Sequence, residues 1–171
     1  MNLLLIISIF CGVDLYFLKD SPNLLVRILP KLETKEVVLY YSFYDTTWDS
    51  IPVEPKGKFF DAVLTPKDTL NILGLYFRCD SIFDDNQGEL YLYEIRLFPK
   101  MILPFTFTDL EKMIGQATNK IVSGQHKDEG ITLLEYVSRV LKIMPVMKNS
   151  EGDLKKRVLE MKIEKLKQIR E

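Results

Sequence analysis

The only tryptophan of the chain, Trp48, stands in "DTTWDS" with Tyr44 close before it and the carboxylates of Asp45 and Asp49 on either side. An aromatic face ringed by oxygen acceptors can stack on a pyranose ring and hydrogen-bond its hydroxyls, since the indole has an apolar body and a polar edge. Trp48, Tyr44 and Asp49 are thus the candidate carbohydrate-binding residues. The alternative is structural: the ring folds back over a sheet edge and is buried, as large aromatics more often are. Further on, "DDNQGE" sets Asp84, Asn86 and Gly88 at alternate positions, and oxygens so spaced could wrap a calcium ion. The run lacks the bidentate Glu that closes an EF-hand loop, and Asn or Asp before Gly is also ordinary hairpin chemistry. Asp84 and Asn86 are a calcium candidate set against a plain turn, and no cofactor is implied.

The remaining chemistry-bearing residues do not assemble into a catalytic group. His126 is the sole histidine, in "GQHKDEG", with no G-x-S-x-G or other nucleophile motif to complete a triad, so it reads as a solvated loop residue. Carboxylate pairs such as Asp84 and Asp85 have no flanking feature of a glycosidase acid and base, and glycine-rich phosphate loops are absent. Cys11 and Cys79 form no CxxC and no Cys/His cluster, so neither a zinc site nor a dithiol redox centre is suggested. They could pair with each other only if the N-terminal segment stays attached. No enzyme is expected.

The C-terminal "GDLKKRVLEMKIEKLKQIRE" carries different information. Leu154, Val158, Met161, Leu166 and Ile169 make a narrow apolar stripe among Lys, Arg and Glu, and Glu151/Lys155 and Glu160/Glu164/Lys167 lie at intrahelical spacing. A helix with such a stripe needs something to cover it, either a neighbouring helix or another protein. Leu154, Val158 and Met161 are the candidate partner-binding residues, for another protein or for self-association.

These residues must be positioned by two halves with different hydrophobic periods. Six runs, 14–18, 23–29, 36–43, 57–64, 71–79 and 89–98, are rich in aliphatic and aromatic residues and bounded by Pro, Gly, Asp or Asn, which predicts strands. In the last run Leu90, Leu92, Glu94 and Arg96 alternate with Tyr91, Tyr93, Ile95 and Leu97, so one face turns polar toward its end. After "PKMILP", read as a proline linker over 99–104, the period becomes helical. Thr108 with Glu111 suggests a capping box opening a helix over 108–124, a second helix spans 128–144, and a third runs from Ser150 to the end.

Length and composition bound the rest. A chain of 171 residues, 47% hydrophobic and 27% charged, suits one domain or a small domain with an extension, and excludes global disorder. A net charge of −1 offers no basic field for nucleic acid. "MNLLLIISIFCGV" is an apolar run of signal-peptide length, though no Lys or Arg precedes it and no clean cleavage site follows. Residues 1–13 are read as a leader or membrane anchor, with a core strand as the alternative; Phe10 before Cys11 fits badly with lipidation.

The stretch from Val37 to Leu64, with Tyr40, Tyr41, Trp48, Ile51 to Val53, Gly57, Phe59, Ala62 and Leu64, resembles immunoglobulin-like (E-set type) modules of exported bacterial proteins. The resemblance implies a β-sandwich and an extracytoplasmic setting. Similar modules precede thioredoxin-like domains or sit beside glucans, but no CxxC follows here, so no redox activity is implied. The expectation is an Ig-like β-sandwich over 14–98 with a helical extension over 105–171, α+β overall: a non-catalytic exported binding or assembly module contacting a protein through its helical tail, or alternatively a glycan through Trp48.

Overall fold

Residues 12–30, 33–43, 47–86 and 88–168 are described by a computed structural model, and among them lie nine strands and three helices. In chain order these are β1 (Gly12–Phe17), β2 (Leu24–Leu29), β3 (Val37–Ser42), β4 (Asp49–Lys56), β5 (Phe59–Leu64), β6 (Leu70–Cys79), β7 (Ile82–Asp84), β8 (Tyr91–Leu97), β9 (Lys100–Phe105), α1 (Phe107–Val122), α2 (Lys127–Ile143) and α3 (Glu151–Gln168). Strand pairing is antiparallel in the order β1-β2-β5-β4-β3-β6-β8-β9, with β7 beside the end of β6. The sheet curls until its two edges approach. Lys100 Nζ of β9 donates to the Ser21 carbonyl at 2.7 Å and lies 5.5 Å from the Phe17 ring of β1. The chain is therefore α+β, with a large, nearly closed, barrel-like β part followed by three helices.

β4, β7 and β9 go beyond the six strands that alternation marks. β4 contains Pro52 and Pro55, which obscure its pattern. Its first half pairs only with β3, Pro52 opposite Val38, and its second half only with β5, Pro55 opposite Phe60. A proline has no N–H to donate, so it is tolerated where a strand is paired on one side. β9 corrects the expected linker at 99–104. Pro99 occupies the turn after a cis Phe98–Pro99 bond, and Pro104 lies opposite Tyr93 on a strand bonded only to β8. The leader or anchor read over 1–13 lies outside the described residues, except for Gly12 and Val13, which open β1. Cys11 lies outside them too, and Cys79 is buried in β6.

The two faces of β6 divide the molecule into two cores. Successive strand residues point to opposite faces. Leu73, Leu75 and Phe77 fill the inside of the curled sheet with Leu24, Ile28, Leu39 and Ile95. Ile72 and Tyr76 point outward and join Leu92 of β8 under Leu110, Val137, Leu141 and Leu159 of the helices. A strand covered on both sides explains why "NILGLYFR" is apolar at nearly every position.

α1 begins two residues earlier than its expected capping box. Thr106 is the N-cap, and Asp109 accepts from the Thr106 backbone N–H at 2.9 Å while Thr106 Oγ1 accepts from Asp109 N. Thr106-x-x-Asp109 thus satisfies the orphan N–H groups instead of Thr108-x-x-Glu111. α1 and α2 form a hairpin that packs tightly at Gly130, where a Cβ would stand 2.8 Å from the Ala117 carbonyl.

Candidate functional site

α3 carries two apolar stripes, and its tethers decide which one is left outside. Gly152, Lys156, Leu159 and Ile163 face inward and are buried. Leu154 and Met161 remain 63% and 57% exposed, with Val158 half-buried between them. The stripe read from the sequence is therefore not the one that seats the helix: Leu159 and Ile163 do that, with Leu166 half-buried behind them. Ile169 lies outside the described residues.

The seating is polar as well as apolar. Lys156 Nζ, nearly buried, donates to the Met144 carbonyl at 3.1 Å, at the C-terminus of α2, where unsatisfied carbonyls concentrate partial negative charge. Lys162 reaches Glu111 of α1 at 2.9 Å, and Lys155 bridges Glu151, at 2.9 Å, and Glu89 ahead of β8. Gly152 N donates to the Gly88 carbonyl at 3.2 Å, so the β7–β8 loop receives the first turn of α3. Shallow grooves flank the helix. One of about 220 Å³ lies against α1 and is lined by Phe107, Leu154 and Val158; one of about 570 Å³ lies against α2 and is lined by Leu141, Arg157 and Met161.

The Trp48 ring is half-buried and edge-on to Tyr76, with centroids 5.1 Å apart, and it packs against the helix-side core. Tyr76 in turn stacks on Tyr40 at 4.5 Å, and Phe83 of β7 leans on both. Asp49 is exposed and lines a separate cleft of about 390 Å³ with Tyr41, Phe43 and Val63, where β4 and β5 diverge. Trp48 lies on the helix-side core and Asp49, the first residue of β4, lines this other cleft, so the two are not brought to one site. Tyr44 lies outside the described residues.

The Asp84–Asn86 segment is built as a turn. Asp84 Oδ1 accepts from Asn86 N at 3.3 Å and from the Tyr91 hydroxyl at 3.0 Å, Asp85 Oδ1 accepts from Gly88 N at 3.0 Å, and Asn86 Nδ2 donates to the Leu90 carbonyl at 2.8 Å. No group of three or more metal-ligating side chains is found among the described residues. His126 sits at the start of α2 in a left-handed conformation, with Nδ1 2.8 Å from Glu129 Oε1 at the surface.

A constellation that sequence reading did not single out lies where the β8 face turns polar. Glu94 is only 5% exposed, although it is charged, because α2 covers it. One of its oxygens accepts from Arg96 Nε and the other from the Tyr136 hydroxyl. Burial first, and the hydrogen bond to Glu94 second, push the Tyr136 phenol up to about 12; burial pushes Tyr93 up to about 12 as well. A phenol kept neutral in the folded state adds stability that is complete below its ordinary value of 10.0 and is lost as pH rises through about 12. Phenolate absorbance of the native protein will therefore show tyrosines ionising well above pH 10, and Tyr136→Phe will remove one of these late steps. A titration of Tyr136→Phe superimposable on the wild type would contradict this placement.

Comparison with known proteins gives no matching family model, no matching curated protein and no matching solved structure. The functional reading rests on the geometry above.

Proposed function

We propose that this chain is a non-catalytic assembly module that binds through α3, and that the occupant of its exposed stripe is α3 of a second copy. The carrying observation is the pair Leu154 and Met161, both more than half exposed on a helix whose inward stripe is already seated. Laid antiparallel about a two-fold axis near Val158, two such helices would set Leu154 of one against Met161 of the other. The acidic first turn, Glu151 and Asp153, would then face the basic last turn, Lys165 and Lys167, of the second copy. Charge and apolar register favour the same pairing.

We further read the β part as the sandwich of an exported, immunoglobulin-like module. What supports the sandwich is the way β4 passes from β3 to β5, with the core filled from both sides. The extracytoplasmic setting rests on the apolar N-terminal run; no helix among the described residues is long and apolar enough to cross a membrane.

Sedimentation equilibrium tests the assembly reading. The wild type will show a concentration-dependent mass rising from 20.0 kDa toward a dimer. Leu154→Asp with Met161→Asp will weaken that association by about 100-fold or more. Because both side chains are exposed in the monomer, the melting temperature measured on dilute, monomeric protein will hardly change. A wild type that stays monomeric up to about millimolar concentration, or a double variant that dimerises as well as the wild type, would overturn the reading.

A further inference from the structure

We propose that the cleft between β8–β9 and α1–α2 binds a small amphipathic monocarboxylate, its carboxylate on Arg96 and its apolar body along Leu103, Met113 and Val140. The cleft holds about 460 Å³, within the range of small-molecule sites, and its walls are mostly apolar. Glu94, Arg96 and Tyr136 also line it.

The charge arrangement selects the ligand. Glu94 is buried, yet each of its oxygens already has a donor, Arg96 Nε on one and the Tyr136 hydroxyl on the other. It therefore acts as a backing for the guanidinium and is not an open acceptor. Arg96 engages Glu94 through Nε and also interacts with the Tyr136 hydroxyl, while its side chain lines the cleft and remains 40% exposed. The planar Nη edge of a guanidinium matches the two oxygens of a carboxylate, and a carboxylate behind it fixes its orientation. The other acid at the cleft, Asp109, is engaged by the Thr106 backbone N–H and hydroxyl at 2.9 and 2.8 Å, in the cap of α1. Leu103, Met113 and Val140 offer nothing polar to a ligand, so the rest of the molecule must be apolar.

This cleft shares no lining residue with the grooves beside the α3 stripe, so the two sites can be tested apart. Isothermal titration of the full chain with octanoate will show saturable binding at one site per chain, and octylammonium and octanol will bind at least about tenfold more weakly. Arg96→Gln will weaken octanoate by about tenfold or more, and Arg96→Lys will recover part of the loss. Should Arg96→Gln fail to fold, Leu103→Glu decides: Leu103 is 41% exposed, so a carboxylate there is tolerated by the fold while it repels the ligand. The proposal is overturned if octanoate shows no saturable binding up to about 10 mM, if octanol or octylammonium binds as tightly, or if Leu103→Glu leaves octanoate affinity unchanged.

Discussion

Phe77→Ala will lower the free energy of unfolding by about 3–5 kcal/mol. Phe77 has no accessible surface and leans on Tyr91 with ring centroids 5.5 Å apart. It lies on β6 between Leu39 of β3 and Asp84 of β7, so hydrogen-bonded strands hold the walls of its site on both sides. Walls tied into a sheet relax little, and the removed ring leaves a cavity as well as lost apolar burial. Denaturant unfolding followed by far-ultraviolet circular dichroism measures it; a loss under about 1 kcal/mol would mean that the curled sheet collapses onto the gap.

Gly74→Val will cost about 3 kcal/mol and will loosen the helices from the sheet. Gly74 lies three residues from Phe77 on the opposite face of β6. A Cβ there would stand 2.9 Å from the Pro145 Cβ and 3.3 Å from Trp48 Cη2. The proline ring is rigid and follows α2 directly, so it can give way only by moving the backbone that seats the helices. A valine is otherwise welcome in a strand, which offsets the cost by under about 1 kcal/mol. Trp48 is the only tryptophan, so its emission reports the joint directly. A red shift in native Gly74→Val is expected, with Gly74→Ala intermediate. Full stability with unchanged emission would show that the helices do not bear on Gly74.

Much of the architecture is legible in the sequence because its periods are local properties. The runs at 24–29, 59–64 and 91–97 alternate or are continuously apolar, and the helical spacing after residue 105 is unambiguous. β4 and β9 were hidden because proline is a local signal against strands, whereas its cost depends on whether a neighbour pairs on its N–H side. That is decided by the sheet order. The start of α1 was displaced for a related reason. Thr106 with Asp109 and Thr108 with Glu111 are both capping boxes by composition, and the end of β9 at Phe105 selects the first.

The candidate sites divide in the same way. The apolar residues of α3 are visible as two interleaved stripes, but only contact with α1 and α2 determines that Leu159 and Ile163 go inward and Leu154 and Met161 stay out. Trp48 and Asp49 are neighbours in sequence and candidates for one site, yet Trp48 packs toward the helices while Asp49 lines the cleft beside β5. Glu94 shows the opposite case. A strand face that turns polar reads as solvent-facing, and the chain supplies the cover for it only forty-two residues later, with the Tyr136 hydroxyl. Sequence by itself determined the six strands that alternation marks, the three helices that follow them and the residue types available for binding, since these follow from spacing along one segment. The tertiary structure alone decided which faces are covered, which charges meet and which apolar residues stay outside, because burial and pairing are set by segments far apart in the chain.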